Sequence, residues 1–122
     1  MATFESFDSV RPYRIWDGAL ARAVTGERLT MALIDVEPNS DVPEHGHENE
    51  QLGFVVLGHI TMVVAGESRT LGPGESYSIP SGVRHSAATG SDGATVIDVF
   101  SPVRADWEKA PREEPSRGAW PT

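Results

Sequence analysis

The chain has 122 residues with 10 basic and 18 acidic side chains, and its formal net charge of −8 argues against nucleic acids and anionic membranes as partners. Its length and its 39% of apolar residues predict one globular domain, and the absence of cysteine excludes disulfides and thiolate metal sites. The sequence shows neither a signal peptide nor an apolar run of about 18 residues, so we expect a cytoplasmic protein.

Short strands separated by glycine and proline turns follow one another along the chain. We predict strands at 13–16, 20–25, 29–36, 54–64, 69–71, 75–79 and 94–100. The stretch 54–64 is expected to hold two strands hinged at Gly58 and His59, and 91–93 is expected to form a hairpin loop. Trp16 is interpreted as a cover over the core. Because no amphipathic helix accompanies these strands, they indicate a sandwich or a barrel.

The stretch PEHGHENEQLGFVVLG, residues 43–58, contains the first candidate site. In an extended chain His45, His47 and Gln51 point to the same side, because side chains alternate between the two faces. Imidazole nitrogens bind Zn, Fe, Ni, Cu or Mn, and an amide oxygen is a weaker ligand. The pattern therefore predicts a metal site, although two solvated histidines in a polar turn would give the same letters. Glu50 is an alternative ligand if the strand bulges.

A second block, GESYSIPSGVRHSAAT at residues 74–89, adds His85 after a turn. The spacing of the two blocks resembles the paired motifs of the cupin superfamily, with Gln51 and Thr89 standing where many members have glutamate and asparagine. The resemblance implies an all-β double-stranded β-helix, or jelly roll, with a core at about 28–104. We expect a cupin domain over 1–104 and a C-terminal arm or flexible tail over 105–122.

The ending VIDVFSPVRADW, residues 96–107, is similar to that of small bacterial cupins acting on unsaturated uronates from pectin breakdown. In that group the metal ligands are three histidines and one glutamine, which implies His45, His47, Gln51 and His85 here. The same resemblance implies that Asp98, Phe100 and Arg104 are important for activity. Strand alternation also places Asp98 inside the barrel, where the carboxylate would serve either catalysis or the structure.

These features favour a metal-dependent isomerase or lyase-type enzyme that acts on a small sugar-acid-like substrate with a carboxylate. The cofactor is expected to be one divalent ion, Zn, Ni, Fe or Mn. Alternatives are an Fe- or Mn-dependent dioxygenase, a polyketide-cyclase-like enzyme and a non-catalytic cupin that binds a metal or a small molecule. A homodimer is expected, because Leu52, Phe54 and Val56 form an apolar face that needs cover.

Overall fold

The structure is a computed structural model that describes residues 2–121. Its strands are β1 (Tyr13–Trp16), β2 (Ala19–Thr25), β3 (Thr30–Val36), β4 (Asp41–His45), β5 (Glu50–Val64), β6 (Glu67–Leu71), β7 (Ser76–Ile79) and β8 (His85–Ser101). The helices among these residues are two short 3-10 helices, Phe7–Ser9 and Ala105–Lys109. Neither meets the length and apolarity that a membrane-crossing helix requires.

Antiparallel pairing around the two long strands, β5 and β8, produces the predicted jelly roll. The second part of β8 lies between β3 and the first part of β5, and β2 and β1 continue the sheet beyond β3. The first part of β8 pairs with β4 and with the second part of β5, which also pairs with β6. The all-β fold expected from the sequence is confirmed.

The predicted hinge between two strands at Gly58 and His59 and the predicted hairpin loop at 91–93 are both wrong. β5 and β8 each continue through these residues as one strand. Gly58 and His59 lie in a register irregularity of β5, and residues 91–93 lie within β8. Gly58 and Gly93 have positive φ angles of 73° and 63°, which favour glycine. A side chain at Gly58 would also overlap the backbone of Gly93, so the close approach of β5 and β8 at this point requires glycine.

The core is built by the inward-facing residues of the strands. On β5 and β8 these include Val55, Val96 and Phe100, which are almost fully buried. Regular alternation turns their neighbours outward, so that Leu52 and Phe54 remain 51% and 41% exposed. The two faces of the same strands therefore have different surroundings.

The C-terminal segment after β8 lies against β1 and β2 of the same chain. The backbone N–H of Arg14 donates to Pro111, and Arg14 forms an ion pair with Glu113. Further along, the buried guanidinium of Arg22 donates to the backbone and the hydroxyl of Ser116. The division of the chain at residue 104 stays a prediction.

Candidate metal centre

The predicted metal ligands come together where the chain passes from β4 to β5. His45 ends β4, His47 lies in the following turn, and Gln51 lies at the start of β5. Residues 46–49 belong to no strand, so the three side chains do not lie on one strand, contrary to what was expected from the sequence. They converge across this loop, and His85 joins them from the start of β8, where it pairs with His45.

The three histidines are oriented in the same way. In each, Nδ1 lies within hydrogen-bond distance of a backbone carbonyl two residues away, so Nδ1 carries the proton and donates it. The pairs are His45 with Pro43 at 2.8 Å, His47 with Asn49 at 2.9 Å and His85 with Val83 at 2.9 Å. A neutral imidazole held in this way presents an unprotonated Nε2, which is the form that binds a metal.

The geometry of the three rings fits a metal ion. One ring nitrogen from each histidine lies within 4.8 Å of the others. Nε2 of His85 is buried and has no hydrogen-bond partner among residues 2–121. Burial lowers the pKa of His85 to about 4, so this atom is held as an unprotonated acceptor. A buried acceptor without a hydrogen-bond partner lowers the stability of the fold, and a cation bound to Nε2 of His85 would provide the missing partner.

The contact of Gln51 with His47 is independent support for a cation. The amide Nε2 of Gln51 donates to Asp98 at 3.0 Å, which turns its Oε1 towards Nε2 of His47 at 3.1 Å. With Nδ1 of His47 donating to a carbonyl, both facing atoms are acceptors. Burial and the nearby charge of Arg104 lower the pKa of His47, which disfavours a second proton on the ring. A cation held by both acceptors removes their repulsion.

Asp98 lies on the inner face of β8, beside the predicted ligands. It is 4% exposed and accepts hydrogen bonds from Gln51 and from the hydroxyl of Tyr77. Burial raises the pKa of Asp98 to about 7, against the opposing effects of these two bonds and of Arg104. Burial also raises the pKa of Tyr77, so its hydroxyl stays protonated and donates. Asp98 can therefore take up and release a proton near neutral pH.

The missing side chain of Gly53 makes room for this carboxylate. Gly53 lies on β5, with Asp98 opposite it on β8 and Tyr77 opposite it on β7. A Cβ at Gly53 would overlap the carboxylate of Asp98 and lie 2.6 Å from the ring of Tyr77. Tyr77 and Asp98 thus meet across the glycine, from two strands that are not neighbours.

Arg104 lies just beyond β8 and lines a cavity together with Gln51 and Asp98. Its side chain is 10% exposed, and the guanidinium packs against the rings of Phe100 and Trp107, 4.7 and 4.6 Å from their centroids. Nε and Nη2 donate to the two carboxylate oxygens of Asp106 at 3.0 and 2.9 Å. Nη1 has no hydrogen-bond partner within the described part of the chain, so it is available to a ligand.

Six of the seven predicted site residues line one cavity, and the seventh, His47, contacts Gln51 and the ring of His85 beside it. The volume of the cavity is about 70 Å³, and a single water molecule needs roughly 10–15 Å³. Their roles as ligands and catalytic groups stay predictions. Glu50, the alternative ligand, is exposed and is not part of the cluster.

Sequence reasoning left three neighbours of the site without a role. The hydroxyl of Tyr77 donates a hydrogen bond to Asp98, and the carboxylate of Asp106 accepts one from the guanidinium of Arg104. Asn49 accepts from His47 through its backbone and donates through its amide to Pro102 and Val103, which ties the histidine turn to the segment before Arg104. No local sequence pattern indicates a role for Tyr77. Asn49 lies two residues from both His47 and Gln51, so side-chain alternation in an extended chain would place it on the same face.

Comparison with known proteins places these features in a family. The Cupin domain family matches residues 32–100. The chain is 29% identical over 93 residues to the pectin degradation protein KdgF of Dickeya dadantii (strain 3937), which covers 75% of this chain and 84% of that protein. The structure of KdgF from Halomonas sp. superposes with a TM-score of 0.79 at 26% identity, covering 87% of this chain and 98% of the other.

A protein of another activity shares the fold. The polyketide cyclase RemF from Streptomyces resistomycificus superposes with a TM-score of 0.73 at 23% identity, covering 98% of this chain and 89% of that one. At that identity the likeness concerns the fold alone, so it does not choose between activities.

Proposed function

This chain belongs to the cupin family, and from that premise we propose that it is a divalent-metal-dependent isomerase of small unsaturated sugar acids. One observation carries the proposal. The amide of Gln51 contacts a candidate ligand, His47, on one side and the titratable carboxylate of Asp98 on the other. A metal site and a proton-transfer group that share one side chain can act on the same substrate atom or on adjacent ones.

His45, His47, Gln51 and His85 would hold the ion, and all four are neutral ligands. A bound divalent ion would keep its full charge and would polarise a carbonyl, enediol or carboxylate of the substrate. The sequence similarity to two KdgF proteins, one of them named for pectin degradation, supports a uronate as the substrate.

Asp98 is proposed to carry the proton. In the tautomerisation of an unsaturated acid, the O–H bond of an enol breaks, a C–H bond forms at the adjacent carbon, and the C=C double bond is replaced by C=O. The substrate neither gains nor loses atoms or electrons. Without an ion at the site, burial raises the pKa of this carboxyl group to about 7, and a bound divalent ion would favour the carboxylate form that accepts a proton.

Arg104 is proposed to bind the carboxylate of the substrate. Its Nε and Nη2 are taken by Asp106, so the substrate would be held through the free Nη1 and the remaining N–H of Nη2. The rings of Phe100 and Trp107 pack against the guanidinium and restrict its movement. The cation is thus oriented before the substrate arrives, which lowers the entropic cost of binding.

We also propose a homodimer through the outer face of β3, β5 and β8. Met31 pairs with Val99, and Val99 with Leu52, so the three form one apolar row across the strands. Ile97 and Phe54 continue the same face in the next row. The patch is continuous, and 40% or more of the surface of Met31, Leu52 and Phe54 is exposed to solvent. Burying such an apolar patch is favourable, and the same face of a second copy would be complementary to it.

The test of the proposed function is turnover of an unsaturated hexuronate, followed through the ultraviolet absorbance of its conjugated double bond. Turnover that disappears on chelation and returns with one divalent ion per chain is the expected result. A protein that binds the metal but converts no unsaturated uronate would falsify the isomerase proposal. Oxygen consumption by an iron-loaded sample would point instead to the dioxygenase alternative.

A further inference from the structure

An irregularity in β1 brings Trp16 to the rim of the cavity. Tyr13 and Arg14 pair with β2 in regular register, but the register shifts before Trp16, which lies opposite Ala19. In a regular strand Ile15 and Trp16 would face opposite sides, whereas here both line the cavity. Bulges often redirect a side chain next to a functional site.

The indole of Trp16 is placed to contact a ligand. It is half-buried and lies over His45, with 5.0 Å between the ring centroids. Among residues 2–121 its Nε1–H has no hydrogen-bond partner and is not a fully buried atom, so it can donate to a ligand. A tryptophan offers a broad apolar face and one donor, which suits a molecule with C–H and hydroxyl groups.

Trp16 and Arg104 lie at opposite ends of a series of ring contacts. Trp16 contacts His45, and His45 contacts His85 with 4.3 Å between centroids. From there the series runs through His47 to Phe100, and the guanidinium of Arg104 lies over Phe100. The three histidines lie between the tryptophan and the cation in this series, and Trp16 and Arg104 both line the cavity.

We propose that Trp16 is a substrate-binding residue that selects for chain length, by contacting the end of the sugar acid remote from its carboxylate. The inference rests on the proposed function, because it takes Arg104 as the carboxylate anchor. A six-carbon acid held at Arg104 would reach the indole along the cavity that both residues line, and a three-carbon acid would be too short to contact both. Trp16 thus favours long substrates over short ones that carry the same carboxylate.

The experiment compares the binding of a saturated hexuronate and of glycerate to the metal-loaded protein by calorimetry. Trp16→Ala is expected to raise the dissociation constant of the hexuronate about 10-fold, as the loss of a buried aromatic contact does, and to leave that of glycerate within about 2-fold. Trp16→Phe keeps a ring but loses the donor, so an increase of about 3-fold is expected. Metal content should match the wild type in both variants.

Fluorescence tests the same inference without a truncated side chain. In the wild type and in the control variant Trp120→Phe, the hexuronate should change the emission more than glycerate does. This difference between the two acids should be lost in Trp16→Phe, in which Trp107, beside Arg104, still responds to both. Equal losses of affinity for both acids would show that Trp16 acts through the metal site and would overturn the inference, as would no loss for either. Wild-type protein that binds glycerate but no hexuronate would overturn the proposed substrate class as well.

Discussion

The inner and outer faces of β5 and β8 carry opposite chemistry on alternating residues. On the inner face, Gln51 and Asp98 are buried and hydrogen-bonded to each other. On the outer face of the same strands, Leu52 and Phe54 are exposed and have no polar group to satisfy. Because neighbouring residues face opposite ways, one strand can serve a reaction and an assembly at once, and a shift of register by one residue would exchange them.

The largest expected effect comes from removing inner-face ligands. His47→Ala combined with His85→Ala should abolish stoichiometric metal, measured by elemental analysis, because two of three imidazoles are lost. The matched control is His59→Ala, since His59 is exposed and pairs with Asp92 away from the cluster. The control should keep one metal per chain. Undiminished metal in the double variant would disprove the site.

The second largest effect is expected on the catalytic rate, without a change in metal binding. Asp98→Asn preserves the shape of the side chain but cannot carry a proton, so kcat for an unsaturated uronate should fall ~10²–10⁴-fold while the metal stays bound. Asp92→Asn is the control, because Asp92 lies on the same strand and is exposed. Normal turnover by Asp98→Asn, with activity still dependent on metal, would make the carboxylate structural.

Gly53 offers a subtler way to disturb the inner face. Gly53→Ala introduces a methyl group into the space of the Asp98 carboxylate, so the carboxylate must move. We expect the free energy of unfolding to fall by about 1–3 kcal/mol and the rate to fall by up to ~10²-fold. Gly90→Ala on β8 is the matched control, since a Cβ there meets no atom within 4 Å. Equal behaviour of the two variants would contradict the crowding at Gly53.

The sequence predicted the fold and the residues of the site better than the way in which they meet. Alternation placed Asp98 inside correctly, because that part of β8 is regular. It failed for His47, which lies in a loop between two strands, and the register shift before Trp16 could not be seen in the sequence. The bond from Tyr77 to Asp98 joins strands that meet only through long-range pairing, so no local pattern could have indicated it.

The pH dependence of stability separates two inner-face groups in the metal-free protein. Burial lowers the pKa of His85 from 6.5 to about 4, so between these values the unfolded chain binds more protons and stability rises with pH. Burial raises the pKa of Asp98 from 3.8 to about 7, so the folded chain binds more protons there and this contribution falls as pH rises. The two slopes oppose each other.

Asp98→Asn removes the contribution to stability that falls as pH rises, and it leaves the contribution of His85, which rises with pH. The free energy of unfolding of the metal-free variant, from denaturant titrations at several pH values, should therefore rise more steeply between about pH 4 and 6.5 than that of the wild type. Parallel curves for the two proteins would mean that the pKa of Asp98 is not raised by folding.

The smallest effect on chemistry is expected from the outer face, and this tests whether the two faces are independent. Leu52→Lys combined with Phe54→Lys places two charges on the apolar patch, and like charges from two copies would meet across the proposed interface. Light scattering should show a dimer for the wild type and a monomer for the variant. Phe4→Lys, at a residue that is 94% exposed, should remain dimeric.

Metal content and kcat of the double variant should stay within about 2-fold of the wild type, because Leu52 and Phe54 point away from Gln51 and Asp98. A monomeric wild type would remove the proposed interface, and a monomeric variant without activity would show that the inner face depends on the cover of the outer one.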